Sequence, residues 1–381
     1  MTLVENQCSV PSDARTILDA LEDQGFAAYL VGGYVRDVLM ERPTGDLDIA
    51  TAAPPNRVTT ICEAVGLKVV PTGIDHGTVT VVVGGHPHEV TTFRHDVETD
   101  GRHATVAFTD VMAEDAARRD FTMNALYVDR HGRVHDPLGG LPDLRARRVR
   151  FIGDAARRIA EDHLRILRFF RFHAWFANPD QGLDRDGLAA CAAAAEGIEN
   201  LSRERIGHEM LRLLASPDPA PALSAMHQSG ILARVLPGAD PQHMALLLHV
   251  EDGRTPDPIR RLALLGGEDA ADRLRLSRQD ANRLALLRAL VAGTERPAGI
   301  AYRYGADMAI DTAILAAAMF ETPLQDDLVQ QAERGATAQF PVAAADLMPD
   351  LQGIALGQKL RALEQEWIDS DFRLTRDRLL S

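Results

Sequence analysis

The sequence predicts an α/β head followed by an elongated, wholly helical region, and three observations carry that division. Over the first ~140 residues, short apolar runs with strand-like alternation are separated by Gly, Pro and Asn turn signals. Farther on, apolar residues recur at helical spacing among Ala, Leu and Arg, and strand signals fade. Proline-rich breaks at "ASPDPAPA" and "DGRTPDP" mark joints within the helical part. With 381 residues the chain suits two to four small domains. The expected boundaries are a head over 1–140, a helical neck over 141–215, a helical body over 216–290 and a helical tail over 291–381.

Within the head, residues 12–24 have the spacing of an amphipathic helix. "FAAYLV" is a strand running into Gly32-Gly33, and "YVRDVLM" the helix after it. A turn at "ERPTG" leads to a strand "DLDIA", and "PPNRVTTICEAVG" is a helix with proline in its first turn. "GTVTVVV", the turn "GGHP" and "HEVTTF" form a β-hairpin, the clearest local signal in the chain. Farther along, "DGLAACAAAAEGIE", "ERIGHEMLRLLA" and "RQDANRLALLRALVAG" suit helices.

Hydrophobic residues make up 46%, enough for a substantial core. The start "MTLVENQCSV" has no signal-peptide pattern and no apolar run reaches membrane-span length. Cys8, Cys62 and Cys191 are scattered, as expected of reduced thiols, so a cytoplasmic location is expected and no membrane partner. A net charge of −14 argues against a generic nucleic-acid binder, yet Arg145 to Arg171 holds nine arginines against Asp154, Glu161 and Asp162. Lysine occurs only at 68 and 359. A coding bias toward arginine accounts for the scarcity of lysine and leaves the clustering unexplained.

In "TGDLDIAT", Asp46 and Asp48 point to one face of a strand. Two carboxylates that close raise each other's pKa unless a cation neutralises them, and all-oxygen ligation suits Mg²⁺ or Mn²⁺. Such a pair is the protein half of a two-metal phosphoryl-transfer site. An isolated Asp-x-Asp is usually a solvated strand end, so its neighbours decide. Gly32 and Gly33 sit between a strand and a helix start, where backbone N–H groups can hold a phosphate. Arg36 is suited to bidentate pairing with phosphate oxygens, and Asp37 either orients it or caps structure. Glu89 either completes the metal site or stands exposed at a strand end.

Together, "LVGGYVRDVLMERPTGDLDIAT", "RRDFTMNAL" and "EDHLRILRFFRF" closely resemble the tRNA nucleotidyltransferase and bacterial poly(A) polymerase family, the class II branch of the polymerase-β-like nucleotidyltransferases. The resemblance covers residues 25–215 and implies a polymerase-β-like head. It also implies a reaction: an RNA 3′-OH attacks the α-phosphate of a nucleoside triphosphate, with two Mg²⁺ at Asp46 and Asp48. By the same resemblance Gly32, Gly33 and Arg36 bind triphosphate, and Arg118, Arg119, Asp120 and Asn124 recognise ribose and phosphates. Asp162 and Arg165 read the incoming base, with Arg168 on the same helix face. Arginine only donates and ionised aspartate only accepts, which suits cytosine and adenine and mismatches uracil and guanine.

"DPLGGLPDLRARRVR" resembles the family's head-to-neck hinge, with Asp136, Gly139, Gly140 and Arg147 as its elements. "LSRERIGHEMLRLL" resembles its neck helix, where Arg205 and Glu209 suit an i,i+4 pair. In place of a "GRRF"-like poly(A) polymerase segment, "VVPTGIDHGTVTVVV" is similar to the CCA-adding pattern. The expected function is therefore rebuilding the 3′-terminal CCA of tRNA from CTP and ATP, with poly(A) addition or partial CC- or A-addition as alternatives. The resemblance also implies that the C-terminal helices engage the tRNA acceptor arm and elbow. His243 and His249 lack the His-Asp dipeptide of an HD phosphohydrolase, so that activity is not expected.

Overall fold

The computed structural model describes residues 8–99 and 104–381. A mixed-sheet head followed by an almost wholly helical remainder is the class the sequence predicts.

The head begins with helix α1 (Ser12–Glu22), strand β1 (Ala28–Val31), helix α2 (Gly33–Leu39) and strand β2 (Asp48–Thr51). Helix α3 (Pro55–Ala64), with proline in its first turn, precedes β3 (Lys68–Gly73). Then come β4 (Thr78–Val83) and β5 (His86–Thr92). The hairpin turn is shorter than expected: Gly84 and Gly85 both have positive φ, so two residues complete it and His86 and Pro87 join the strand. A separate two-stranded ribbon, β6 (Arg94–Thr99) and β7 (Ala104–Phe108), leads to helix α4 (Met112–Ala117). Short strands β8 (Tyr127–Val128) and β9 (Val134–His135) complete the main sheet, whose order is β3-β4-β5-β2-β1-β8-β9.

Register in this sheet positions the chemistry. Asp48 pairs with Val31 on antiparallel β1 and with Glu89 on β5, the one parallel neighbour of β2. Alternation sends Ile49, Val79, Val81 and Val90 into the core, where they are fully buried. Asp48 and Glu89 face the other way, into a cleft that partly screens Asp48 from water. The strand starts at Asp48, two residues later than the sequence suggested, so Asp46 lies in the segment leading into it.

Helices α5 (Leu141–Arg145), α6 (Ala155–Glu161), α7 (Leu164–Phe176), α8 (Arg185–Ala193) and α9 (Arg203–Leu214) follow. The "DPLGG" segment locks onto "RRDFTMN". Asp136 accepts hydrogen bonds from the Gly140 and Leu141 N–H groups at 2.7 and 2.9 Å. A Cβ on Gly140 would lie 2.2 Å from the Thr122 carbonyl oxygen, so only glycine permits this approach.

Contacts divide the chain into two compact units, the described residues up to Glu209 with Gln228–Val235, and Met210–His227 with Leu236–Ser381. The second unit is built from helices and contains a buried ion network. Glu251 bonds both Arg260 and Arg261, at 2.9 and 2.7 Å, and Arg260 also reaches Asp311 at 2.7 Å. Arg261, 2% exposed, further donates to the carbonyls of Leu214 and Ser216. His243 lies on the same unit, 3.8 Å from Glu321. No helix among the described residues is long and apolar enough to cross a membrane. Glu251→Ala removes the shared acceptor of two buried arginines and is expected to cost about 3–5 kcal/mol, read as a lower urea midpoint for the second unit.

Candidate functional site

A cleft of 480 Å³ opens in the first unit between β1, β2, β5 and helix α7. Gly32, Gly33, Asp48, Glu89, Arg118, Arg119, Asp120, Asn124, Asp162, Arg165 and Arg168, all named from the sequence, line it. Asp46 and Arg36 do not.

The turn after β1 is shaped by Gly32, whose φ of +73° is open to glycine and strained for other residues. A Cβ there would lie 3.5 Å from Arg119 Nη1 and 3.9 Å from an Asp48 oxygen, so a cation and a carboxylate both border the turn. Arg36 is buried, with Nε and Nη2 each donating to Asp37 at 2.9 Å and Nη1 donating to Asn124 Oδ1 at 2.9 Å. Its guanidinium lies 3.9 Å from the centre of the Phe176 ring. Asp37 does orient it.

Asp48 and Glu89 stand side by side on parallel strands. Burial, then the charges of Glu89 and Asp46, push the Asp48 carboxyl above its ordinary value against the pull of Arg119. This donor set fits a hard divalent cation: carboxylate oxygens only, mutually repelling, open on the side where substrate oxygens and water complete the shell. No group of three or more His, Cys, Asp or Glu among the described residues is arranged to hold a metal by itself.

In "RRDFTMN", Asp120 is buried beneath the cleft. It accepts hydrogen bonds from Asn124 Nδ2 at 3.0 Å, Phe121 N at 2.9 Å and Arg168 Nε at 2.8 Å. Burial alone would push its carboxyl up; the Arg168 charge and these donors together hold it below the usual range. Arg119 is gripped from behind by Asp115 and Tyr127, at 3.0 and 3.2 Å. Arg118 contributes its carbonyl to Arg165, at 3.1 Å.

The pair expected to share a helix face is arranged differently. Asp162 is extended, with φ −156° and ψ 107°, between α6 and α7, and Arg165 lies in the first turn of α7. Asp162 accepts from Leu164 N at 3.0 Å and from Arg205 at 2.6 Å. Arg165 is held by Glu161 and by the carbonyls of Arg158 and Arg118. The expected Arg205–Glu209 pair does not form: Arg205 reaches Asp162, while Glu209 bonds Arg171 and lies 3.8 Å from Arg168. Side chains absent from the sequence-based site also line the cleft or brace it, among them Asp115, Arg94, Arg205 and Glu161. Glu161 closes α6 and reaches Arg165 across the break before α7, a pairing that the four-residue spacing alone does not explain. Arg205 and Arg94 carried no local signal.

Comparison with known proteins places this geometry. A sequence model of the Poly A polymerase head domain matches residues 28–150. One described as a probable RNA and SrmB- binding site of polymerase A matches residues 183–242. The zebrafish (Danio rerio) mitochondrial CCA tRNA nucleotidyltransferase 1 is 31% identical over 384 residues, spanning 96% of this chain and 89% of that protein. The chain belongs to the CCA tRNA nucleotidyltransferase family. Within that family, the CCA-adding enzyme of Geobacillus thermodenitrificans is 42% identical over 227 residues, covering 59% of this chain and 54% of its relative. The crystal structure of the Bacillus stearothermophilus CCA-adding enzyme in complex with CTP superposes with a TM-score of 0.78 at 29% identity. That superposition covers 97% of this chain and 95% of the other. As a nucleotidyltransferase of this family the chain relies on divalent metal ions.

Asp120→Asn removes the charge that Arg168 is buried against and is expected to destabilise the first unit by about 3 kcal/mol at neutral pH. Because Asp120 has a depressed pKa in the fold, its contribution is complete above the unfolded value of about 4 and is lost as pH falls through the folded one. Denaturation curves for wild type and variant, taken from pH 7 downward, are therefore expected to converge in acid.

Proposed function

We propose that this chain adds or repairs the 3′-terminal CCA of tRNA from CTP and ATP, without a nucleic-acid template and with release of pyrophosphate. The observation that carries this reading is that one cleft presents Asp48 and Glu89 to one side and Asp162 and Arg165 to the other. The relatives named above support it, through their names and through the CTP held by the Bacillus stearothermophilus enzyme.

In the proposed reaction the tRNA 3′ oxygen forms a bond to the α-phosphorus of the nucleotide as the bond to the β-phosphate oxygen breaks. Two Mg²⁺ ions (or Mn²⁺) held by Asp46 and Asp48 would supply charge neutralisation at the attacking and leaving oxygens. The protein's own residues position the reactants. Gly32 and Gly33 offer backbone N–H groups and Arg119 a fixed cation to the triphosphate. Asp120 and Asn124, locked to each other, form the floor under the ribose. Glu89 adds negative charge beside Asp48 and keeps that carboxylate dependent on a cation.

Base choice falls to Asp162 and Arg165. Arg165 uses both Nη1 hydrogens and one on Nη2 in its braces, leaving Nε–H and one Nη2–H for a base. Asp162 keeps lone pairs beyond those given to Leu164 N and Arg205. One donor and one acceptor match N3 and N4 of cytosine and equally N1 and N6 of adenine. Uracil and guanine invert that edge, and each mismatched group costs about 1–3 kcal/mol. The C-terminal helices would hold the tRNA acceptor arm and elbow.

The test is extension of tRNA lacking its CCA, with product length read on a gel. Two additions with CTP and a third requiring ATP are expected. Long A-tails from ATP alone would make the chain a poly(A) polymerase, the second reading, favoured by the description of the matching head model. Bound tRNA with no extension would overturn both. Asp48→Ala is expected to slow addition about a thousandfold or more. Arg165→Ala is expected to raise UTP misincorporation relative to CTP by about tenfold or more.

A further inference from the structure

Asp115 lies on α4, outside every motif used above, and the reaction as set out gives it no task. Its environment does. The carboxylate is buried, 3% exposed, and its Oδ2 accepts from Tyr127 Oη at 2.7 Å and from Arg119 Nη2 at 3.0 Å. Arg119 Nε donates to the same Tyr127 oxygen at 3.2 Å. The three side chains therefore close a triangle in which the tyrosine hydroxyl gives its proton to Asp115 and receives one from Arg119.

The anchor of this triangle is rigid. Tyr127 is fully buried on β8, opposite Val31, the residue that runs into the Gly32 turn. Both grips fall on the Nε–Nη2 edge of the guanidinium. That leaves Nη1, the nitrogen 3.5 Å from where a Gly32 Cβ would be, facing the turn and the cleft. A guanidinium held on one edge by a planar fork loses its rotational freedom before ligand arrives, so binding does not have to supply that ordering. A carboxylate that only satisfied the tyrosine would not have to reach the arginine as well.

We propose that Asp115 and Tyr127 are positioning residues that fix Arg119 against the Gly32 turn, aiming its Nη1 at the triphosphate of the incoming nucleotide. The inference rests on the function proposed above and on the phosphate-binding role given there to Arg119.

Steady-state CTP addition to tRNA lacking CCA tests it, on the full chain, with melting temperature measured alongside. Asp115→Asn is expected to raise KM for CTP about tenfold while kcat changes less, and Tyr127→Phe to give a smaller rise in the same parameter. In an Arg119→Lys background, where no planar fork remains to be held, Asp115→Asn is expected to add little further loss. Equal effects of Asp115→Asn in the two backgrounds, or an unchanged KM, would overturn the inference. If Asp115→Asn fails to fold, the same cycle with Tyr127→Phe decides it by the same criterion. A wild-type chain that extends tRNA while both variants match it sinks this inference alone; one that extends nothing sinks the functional reading and this inference together.

Discussion

The bond between Arg168 and Asp120 is the contact on which the site is built. It joins helix α7 to the turn after α4, and it is one link of a closed ring. Asp120 accepts a hydrogen bond from Asn124, the Asn124 oxygen accepts one from Arg36, and Arg36 lies over Phe176, back on α7. Each link is charged or polar and largely buried, so losing any one strands its neighbours in a medium that does not solvate them. The Asp120–Asn124 pair and helix α7 are thus held in one register. This also accounts for "FFRF". Phe169 stacks on Phe151, Phe172 lies 4.8 Å from Phe121, and Arg36 sits 5.3 Å from Phe172, so the rings form the apolar bed on which the charged ring rests.

A protein of net charge −14 that handles a polyphosphate has to reconcile two demands, and the pairing pattern does so. Four arginines at the cleft have a carboxylate behind them: Asp115 for Arg119, Glu161 for Arg165, Asp120 for Arg168, Asp162 for Arg205. The acids hold the guanidinium groups in place and leave outward-facing donors to substrate. Of the arginines that the sequence concentrates between residues 145 and 171, Arg165 and Arg168 are thus braced donors at the cleft.

What the sequence disclosed and what it hid follow from the range of the interactions. Strand alternation and the Gly-Gly turns are local, so the hairpin, the carboxylate strand and the head's mixed class were legible, with Asp46 displaced from the strand by two residues. Partner choice is not local. Arg36 carries the same guanidinium whether it meets a phosphate or Asp37, and only the packing of Phe176 beneath it, 140 positions away in the sequence, turns it inward. Arg205 and Glu209 have ideal helical spacing for each other, yet both find better partners on α7 and on the segment before it, because buried or bridging carboxylates gain more than a solvated i,i+4 pair worth a few tenths of a kcal/mol.

The same bracing bears on how one pair of side chains can serve two bases. A site that had to rearrange its hydrogen-bonding groups between C and A would need mobile donors. Under the proposed function none has to change polarity, because cytosine and adenine present an acceptor beside an exocyclic amine in the same sense. What must stay constant is that Asp162 and Arg165 remain aimed. Arg205 and the Leu164 N–H hold the first in place, and Glu161 with two carbonyls holds the second. Selectivity against uracil and guanine then comes from rigidity: a floppy aspartate could turn aside and admit the inverted edge, whereas one pinned by an N–H and a guanidinium keeps its acceptors in place.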